Sequence, residues 1–421
     1  MPEVEESTYY YLYSFPTEVL LRIFSYLTPK ELSTCRQVCL RWKQIIDNLS
    51  RLDKLWRKYC ENDFPSIYKI ARYKSKPGLQ WYNIYRSLTL WSRLQYAREM
   101  IDEFASASSV REEIQDFQVL SDGIIGVHTR CGIFYYDIET LERAKRGPIS
   151  GSYLRYTENT DSLIFMTSDF HLFIVRKLLT NPRHEADVTF DSVKMFLLHD
   201  RNVYFITLND EIHVCNLNDG NLKSVHLNTF TNGVMSLGFS DHLNVLTYER
   251  DIYSVVGKEL IFRCNVESVS NLMNEFRKYN LLEQLDWRVY IQWMFFMNHT
   301  LPQGPLRETL VVRTYDEVVF VGTTFGVLRI YYKPYVNEEF DLFNSEPVKQ
   351  YNFMERSDCP VLTMSPIIQI DVVEIEDGHI VLVAMPKKIA VLNYSHIFKR
   401  SATAAMLPYN DVQDVKILKI Q

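Results

Sequence analysis

The chain has 421 residues, 47% of them hydrophobic and 23% charged, with a formal net charge of −6; this is the balance of an ordinary globular protein with room for two or three domains. No apolar run approaches the roughly 18–20 residues that a membrane-crossing helix needs, and the acidic start MPEVEESTYYYLYS lacks the basic-then-apolar layout of a secretory leader. Seven scattered cysteines with no CxxC pair, and no histidine before residue 128, exclude a zinc-finger spacing and read as buried thiols of a reducing compartment, cytoplasm or nucleus.

Residues 1–13 are expected to be disordered. From Ser14 to Trp56 the pattern predicts three short helices carrying more apolar surface than so small a unit can bury alone. Pro16 suits a first helical turn and Glu18 suits the positive end of the helix dipole. Val19, Leu20, Ile23, Phe24 and Leu27 come next, at helical spacing. Thr28-Pro29-Lys30-Glu31 is a second start signal, with Thr28 and Glu31 spaced as a capping box. Leu32, Cys35, Val38, Cys39 and Trp42 carry the stripe onward, and Ile45, Ile46, Leu49, Leu52, Leu55 and Trp56 supply a third apolar face. Periodicity alone fits a helical subdomain packed on its own neighbours equally well.

The order of the motifs says more. Phe15-Pro16-x-Glu18, Leu20, Ile23-Phe24-Ser25-x-Leu27, Pro29-x-x-Leu32 and Val38-Cys39-x-x-Trp42 together resemble the F-box family throughout residues 14–56. Phe15 departs from the family's usual leucine and keeps an apolar side chain there. The resemblance implies an F-box over residues 14–60 that docks onto a Skp-type adaptor and, through it, a cullin ubiquitin ligase. The implied contacts are Phe15, Pro16, Leu20, Ile23, Phe24 and Leu27 in the first helical segment, and Pro29, Leu32, Val38, Cys39 and Trp42 in the second and third. Cys35 and Cys39 lie one helical turn apart without a further ligand, and read as packing residues.

Residues 61–111 read as a helical linker. Charge is uneven here: residues 1–112 carry a net +4 and the remainder −10, and no acid falls between Asp63 and Glu99. Solvated helix faces or an acidic partner explain the run Lys69, Arg72, Lys74, Lys76, Arg86, Arg93 and Arg98 more economically than nucleic acid does. From Leu79 the apolar residues Trp81, Ile84, Leu88, Trp91, Leu94, Ala97, Ile101 and Phe104 recur every three or four positions. That spacing predicts one long helix, a rod of roughly 40 Å.

Beyond residue 112 the character changes to paired strands that repeat. DGIIGVHT, DSLIFMTS, RNVYFITL and HLNVLTYE are each followed by a polar turn and a second strand, and their centres Ile125, Ile164, Tyr204 and Val245 lie 39, 40 and 41 residues apart. The pair recurs at DEVVFVGT and GHIVLVAM. A strand-only repeat of about 40 residues predicts a β-propeller over 112–421; a β-sandwich is the competing reading. Val266, Val269, Met273, Phe276 and Leu282 have helical spacing, so a helical insertion is expected near 266–284. WRVYIQWMFF (287–296) then reads as a degenerate unit. The expected fold is therefore multidomain α plus all-β: an F-box and helical linker, then a propeller of seven blades, with six as the alternative. The run Asp411–Ile420 is expected to close the ring beside a strand around Phe117–Leu120. Resemblance to WD-repeat proteins is architectural, echoed only in Gly378-His379.

No catalytic signature is present: no glycine-rich phosphate loop, G-x-S-x-G elbow or H-E-x-x-H. His199-Asp200 and Asp241-His242 are sequence neighbours at strand edges, where successive side chains face opposite ways. The expectation is a non-enzymatic receptor without cofactor, metal or membrane, binding a protein substrate through the turns between paired strands. Those turns carry Arg130, Phe170, His171, Asp210, Arg250, Phe325, Lys387 and Lys388. Arg130, Arg250, Lys387 and Lys388 together suit an acidic or phosphorylated peptide, though ordinary solvated turn charges explain them equally well. A scaffold that uses the F-box without ubiquitylation, and an enzyme built in the propeller channel, remain the alternatives.

Overall fold

A computed structural model of the chain describes residues 15–49, 51–121, 123–177, 187–268, 272–282, 284–290, 292, 308–332, 345–353 and 365–396. The expected N-terminal disorder (1–13) and the expected closing strand (411–420) fall outside them. The chain divides into two compact units, one of residues 1–100, 373–380 and 393–421, the other of 101–372 and 381–392.

In the first unit, helix α1 (Thr17–Phe24) starts behind Pro16, and α2 (Pro29–Cys35) opens on the predicted capping box. The Glu31 backbone N–H donates to Thr28 Oγ1 at 3.3 Å, and the Thr28 N–H donates to the Glu31 carboxylate at 2.7 Å. Helices α3 (Leu40–Leu49), α4 (Asp53–Asp63), α5 (Tyr68–Lys74) and α6 (Trp81–Leu90) complete the helical set. Trp56 is the hub of their packing. It meets Tyr59, Tyr82 and Tyr85 at ring distances of 5.3, 4.8 and 5.4 Å, in the edge-to-face and tilted arrangements that aromatic quadrupoles favour.

The predicted rod is not one helix. After α6 the chain tightens into a 3-10 turn (Trp91–Tyr96) and then becomes a strand, Arg98–Phe104. Leu94, Ala97, Ile101 and Phe104 keep helical spacing, but a strand partner outweighs the modest preference of so short a stretch. This strand is the outer member of a four-stranded sheet ordered 98–104, 388–395, 378–385, 369–375.

The β region is a propeller. Its first five antiparallel four-stranded sheets are each built from consecutive strands: sheet 1 (114–150), sheet 2 (155–190), sheet 3 (193–229), sheet 4 (234–265) and sheet 5 (309–352). Sheet 6 is the one that borrows its outer strand from residues 98–104. The paired strands legible in the repeat are the second and third of each sheet. For sheet 4 the pairing runs Leu243↔Val255 to Leu246↔Ile252.

Successive sheets share cores. Tyr135 and Ile133 meet Tyr156 and Leu163 between sheets 1 and 2. Ile174 and Leu172 meet Phe196 and Phe205 between sheets 2 and 3, and Leu197 and Ile206 meet Leu237 and Val245 between sheets 3 and 4. Sheet 6 returns to sheet 1 through the Gln369 side chain, which accepts from the Phe117 N–H at 2.8 Å and donates to its carbonyl at 2.6 Å.

Six sheets stand among the described residues, and the expected degenerate unit at 287–296 is helical where it is described, at 287–290. The helical insertion is present as a 3-10 turn (Val266–Ser268) and a helix (Leu272–Lys278). Its Phe276, Leu281, Trp287 and Tyr290 fill the space between Met235 and Leu246 of sheet 4 and Val312 and Val319 of sheet 5. Gly238 lets the insertion approach: a Cβ there would lie 2.3 Å from the Asn280 carbonyl oxygen.

Candidate functional site

The first surface is on the helical unit. Arg41 anchors its start by donating to the Phe15 carbonyl at 2.6 Å. The residues expected to touch a partner divide into two groups. Leu20, Phe24 and Leu32 are fully buried, and Phe24 sits edge-to-face on Trp42 at 5.1 Å. These side chains hold the helices to one another. Phe15, Leu27, Pro29, Cys39 and Trp42 are half-buried, while Pro16, Ile23 and Val38 are exposed.

Beside them are three apolar side chains that the motif did not single out: Val19, Tyr26 (75% exposed) and Leu40 (78% exposed). Val19 and Ile23 lie one turn apart on α1 and Tyr26 just past its end, at spacing i, i+4, i+7, a second apolar stripe alongside the buried Leu20 and Phe24 and the half-buried Leu27. A helix apolar on two sides needs two partners, and the three-helix core supplies one.

The second surface is the set of turns joining the second and third strands of the sheets, and a recurring threonine builds it. Thr129, Thr207, Thr247 and Thr323 each end a second strand and Thr167 directly follows one, and each hydroxyl binds the turn immediately after it. The residue three positions on has a left-handed φ of 60–72° in four of them, Phe170 at 64°, Asp210 at 60°, Arg250 at 69° and Gly326 at 72°, while Gly132 in the fifth has φ 153°. In those four the N–H of that residue donates to the threonine carbonyl at 3.0 to 3.3 Å. Each turn also holds the segment leading into the next sheet. Val193 N–H donates to the Phe170 carbonyl at 2.8 Å, Val234 N–H to the Asp210 carboxylate at 2.9 Å, and Ile114 N–H to the Pro386 carbonyl at 2.8 Å.

The turn cations that suggested an acidic ligand are largely occupied. Arg250 is buried at 4% exposure and pairs with Glu267. Lys388 pairs with Glu103, and Arg130 with Glu113 at 2.8 Å. Lys387 stays exposed. His171 lies between two carboxylates, Nδ1 at 2.8 Å from Asp169 and Nε2 at 3.3 Å from Asp191. Phe170 and Phe325 are exposed as expected.

A third cluster, marked in the sequence only by the Gly378-His379 pair, lies inside the helical unit. Glu374 accepts hydrogen bonds from the Ser87 hydroxyl and from Trp91 Nε1 (3.0 Å), with His379 Nδ1 2.7 Å away. Trp91 stacks on the His379 ring at 3.8 Å. Burial alone would raise the Glu374 carboxyl, but His379 and the bonds from Ser87 and Trp91 outweigh it and hold the group below its ordinary range. Serine, histidine and glutamate meet here, yet all are buried, and the Ser87 proton goes to Glu374 or to the Gly378 carbonyl. The arrangement clasps α6 and the 3-10 turn to the 374–379 turn and offers no open nucleophile.

Residues 12–62 match the F-box-like family model. An 80-residue stretch is 31% identical to mitogen-activated protein kinase kinase kinase A of Dictyostelium discoideum, taking in 18% of this chain and 8% of that protein. Among solved structures the chain is similar to BamB from Moraxella catarrhalis (14% identity, 66% of this chain and 81% of that one, TM-score 0.38). It is also similar to the N-terminal domain of Nup159 (8% identity, 71% and 96%, TM-score 0.40). The propeller rests on sheet order and register, not on these low scores.

Proposed function

We propose that the chain is a non-catalytic substrate receptor of a Skp–cullin–F-box type ubiquitin ligase, the F-box-like helices taking the adaptor and the propeller taking a protein target. The observation that carries this is the exposed stripe Val19, Ile23 and Tyr26, which lies inside the segment matching the F-box-like model. Such a receptor works by position. Holding a target lysine beside a ubiquitin-charged enzyme turns a bimolecular encounter into a local one.

The test is capture of a Skp-type adaptor and a cullin by the full chain, compared with a Val19→Asp/Ile23→Asp variant. Both side chains are exposed, so thermal unfolding is expected to stay unchanged while adaptor capture falls by about 2 kcal/mol or more, the scale of an interface anchor. Undiminished capture by the folded variant overturns the docking mode. Capture of adaptor without cullin makes the chain a scaffold instead.

A further inference from the structure

The propeller carries one strip of surface whose chemistry names its partner. The strip runs over the turns of sheets 2, 3 and 4, and backbone hydrogen bonds tie these together. Val193 N–H reaches the Phe170 carbonyl, Leu208 N–H the Ser192 carbonyl at 2.7 Å, and Tyr248 N–H the Gly233 carbonyl at 3.3 Å. Three large apolar side chains stand exposed along it, one per turn: Phe170, Leu208 and Tyr248. Asp169 and Glu249 adjoin Phe170 and Tyr248 in the chain, Asp191 precedes the segment held by the Phe170 carbonyl, and all three are exposed, Glu249 accepting from the Asn232 amide.

The cations of the strip are matched, and its one histidine is held between two carboxylates. Lys194 is paired with Asp210, Arg250 is buried against Glu267, and His171 lies between Asp169 and Asp191. What the strip presents to solvent is therefore chiefly apolar and negative. A partner with phosphate or carboxylate groups meets like charge there, whereas lysine or arginine interleaved with apolar residues meets complementary charge and apolar contacts together.

The geometry points to this strip, Phe170–Asp191–Leu208–Tyr248–Glu249, as the docking site for a basic segment of a partner protein that places apolar side chains between lysines or arginines. The inference deepens the reading of the propeller as the recognition part and rests on it. It also reverses the sign that the turn cations alone suggested.

The experiment uses the full chain and three fluorescent 15-residue peptides of one length: alternating lysine and leucine, alternating glutamate and leucine, and alternating serine and leucine. The lysine peptide is expected to bind at least about tenfold more tightly than either other peptide, and to weaken as salt rises from about 50 to 300 mM. Asp191→Asn/Glu249→Gln is expected to lower its affinity about tenfold, and Phe170→Asn/Leu208→Ser to abolish binding, with thermal unfolding unchanged in both; asparagine tolerates the positive φ of position 170. Equal binding of the lysine and glutamate peptides, binding insensitive to both variants, or no binding at all overturns the inference. Adaptor capture is scored on the same preparations. Capture without peptide binding leaves the ligase reading standing while the strip fails, and peptide binding without capture does the reverse.

Discussion

Leu20 and Ile23 lie three residues apart on one short helix and face different surroundings. Leu20 is closed inside the three-helix core; Ile23 looks outward. The apolar periodicity of α1 was legible in the sequence, but which of its two stripes faces inward was not, because both satisfy the same spacing and only the positions of α2 and α3 separate them. At this scale His396 makes a measurable prediction. Burial, then the nearby His379, Arg93 and Arg86, push its pKa down from 6.5 to about 3. Between those two values the unfolded chain binds a proton that the folded chain refuses, so stability falls as pH drops through that window. Glu374, held below its ordinary 4.5, adds stability that is present above about 4.5 and is lost below it. The urea midpoint is therefore expected to decline from about pH 6.5 downward, and His396→Leu to flatten the upper part of that decline. A decline of the same steepness in the variant would show that other groups set the acid limb.

Elements were legible where local pattern and tertiary partner agreed. The second strands stood out because most positions are buried and β-branched residues run through them, and the third strands because buried and half-buried positions alternate. The first and fourth strands did not, since they vary from two residues (149–150) to seven (193–199) and lack a repeated pattern of their own. Residues 91–104 failed for the opposite reason: their spacing was clear and the partner overruled it. The threonine at or just past the end of five second strands was visible at positions 129, 167, 207, 247 and 323, yet its meaning needed the turn geometry. At Thr323, which is fully buried, the hydroxyl accepts from the Val327 N–H at 3.0 Å and the Phe325 N–H at 3.3 Å. Thr323→Val keeps the shape and removes the acceptor, leaving donors without a partner, and is expected to cost about 1–3 kcal/mol. Thr323→Ser keeps the acceptor and loses one methyl, at about 1 kcal/mol. Denaturant midpoints in which valine proves no worse than serine would take the clasp out of the account of these turns.

For the whole molecule the question is how the propeller closes. The sequence pointed to residues 411–420, which lie outside the described residues; among the described residues the outer strand of sheet 6 is Arg98–Phe104. Phe104, buried, meets Tyr136 of sheet 1 at 5.2 Å, and Ala107 N–H reaches the Lys387 carbonyl at 2.8 Å. These contacts carry the chain from sheet 6 into sheet 1, so the chain entering the propeller also completes its last sheet. Without that strand the 388–395 strand, buried at Ile389, Ala390, Val391, Leu392 and Tyr394, becomes an open apolar edge, the feature that natural sheets avoid because it pairs with other chains. Replacing 98–104 by seven Gly/Ser residues keeps the connection and removes the pairing. The variant is expected to unfold several degrees lower and to form soluble aggregates on size-exclusion chromatography, while removal of 411–421 changes neither by comparison. Both readouts matter, because a lost strand lowers the midpoint and an exposed edge brings association. If the Gly/Ser variant stays monomeric with an unchanged midpoint and the tail deletion does not, closure belongs to the C-terminal segment, and the 98–104 strand is only an addition to a sheet completed without it.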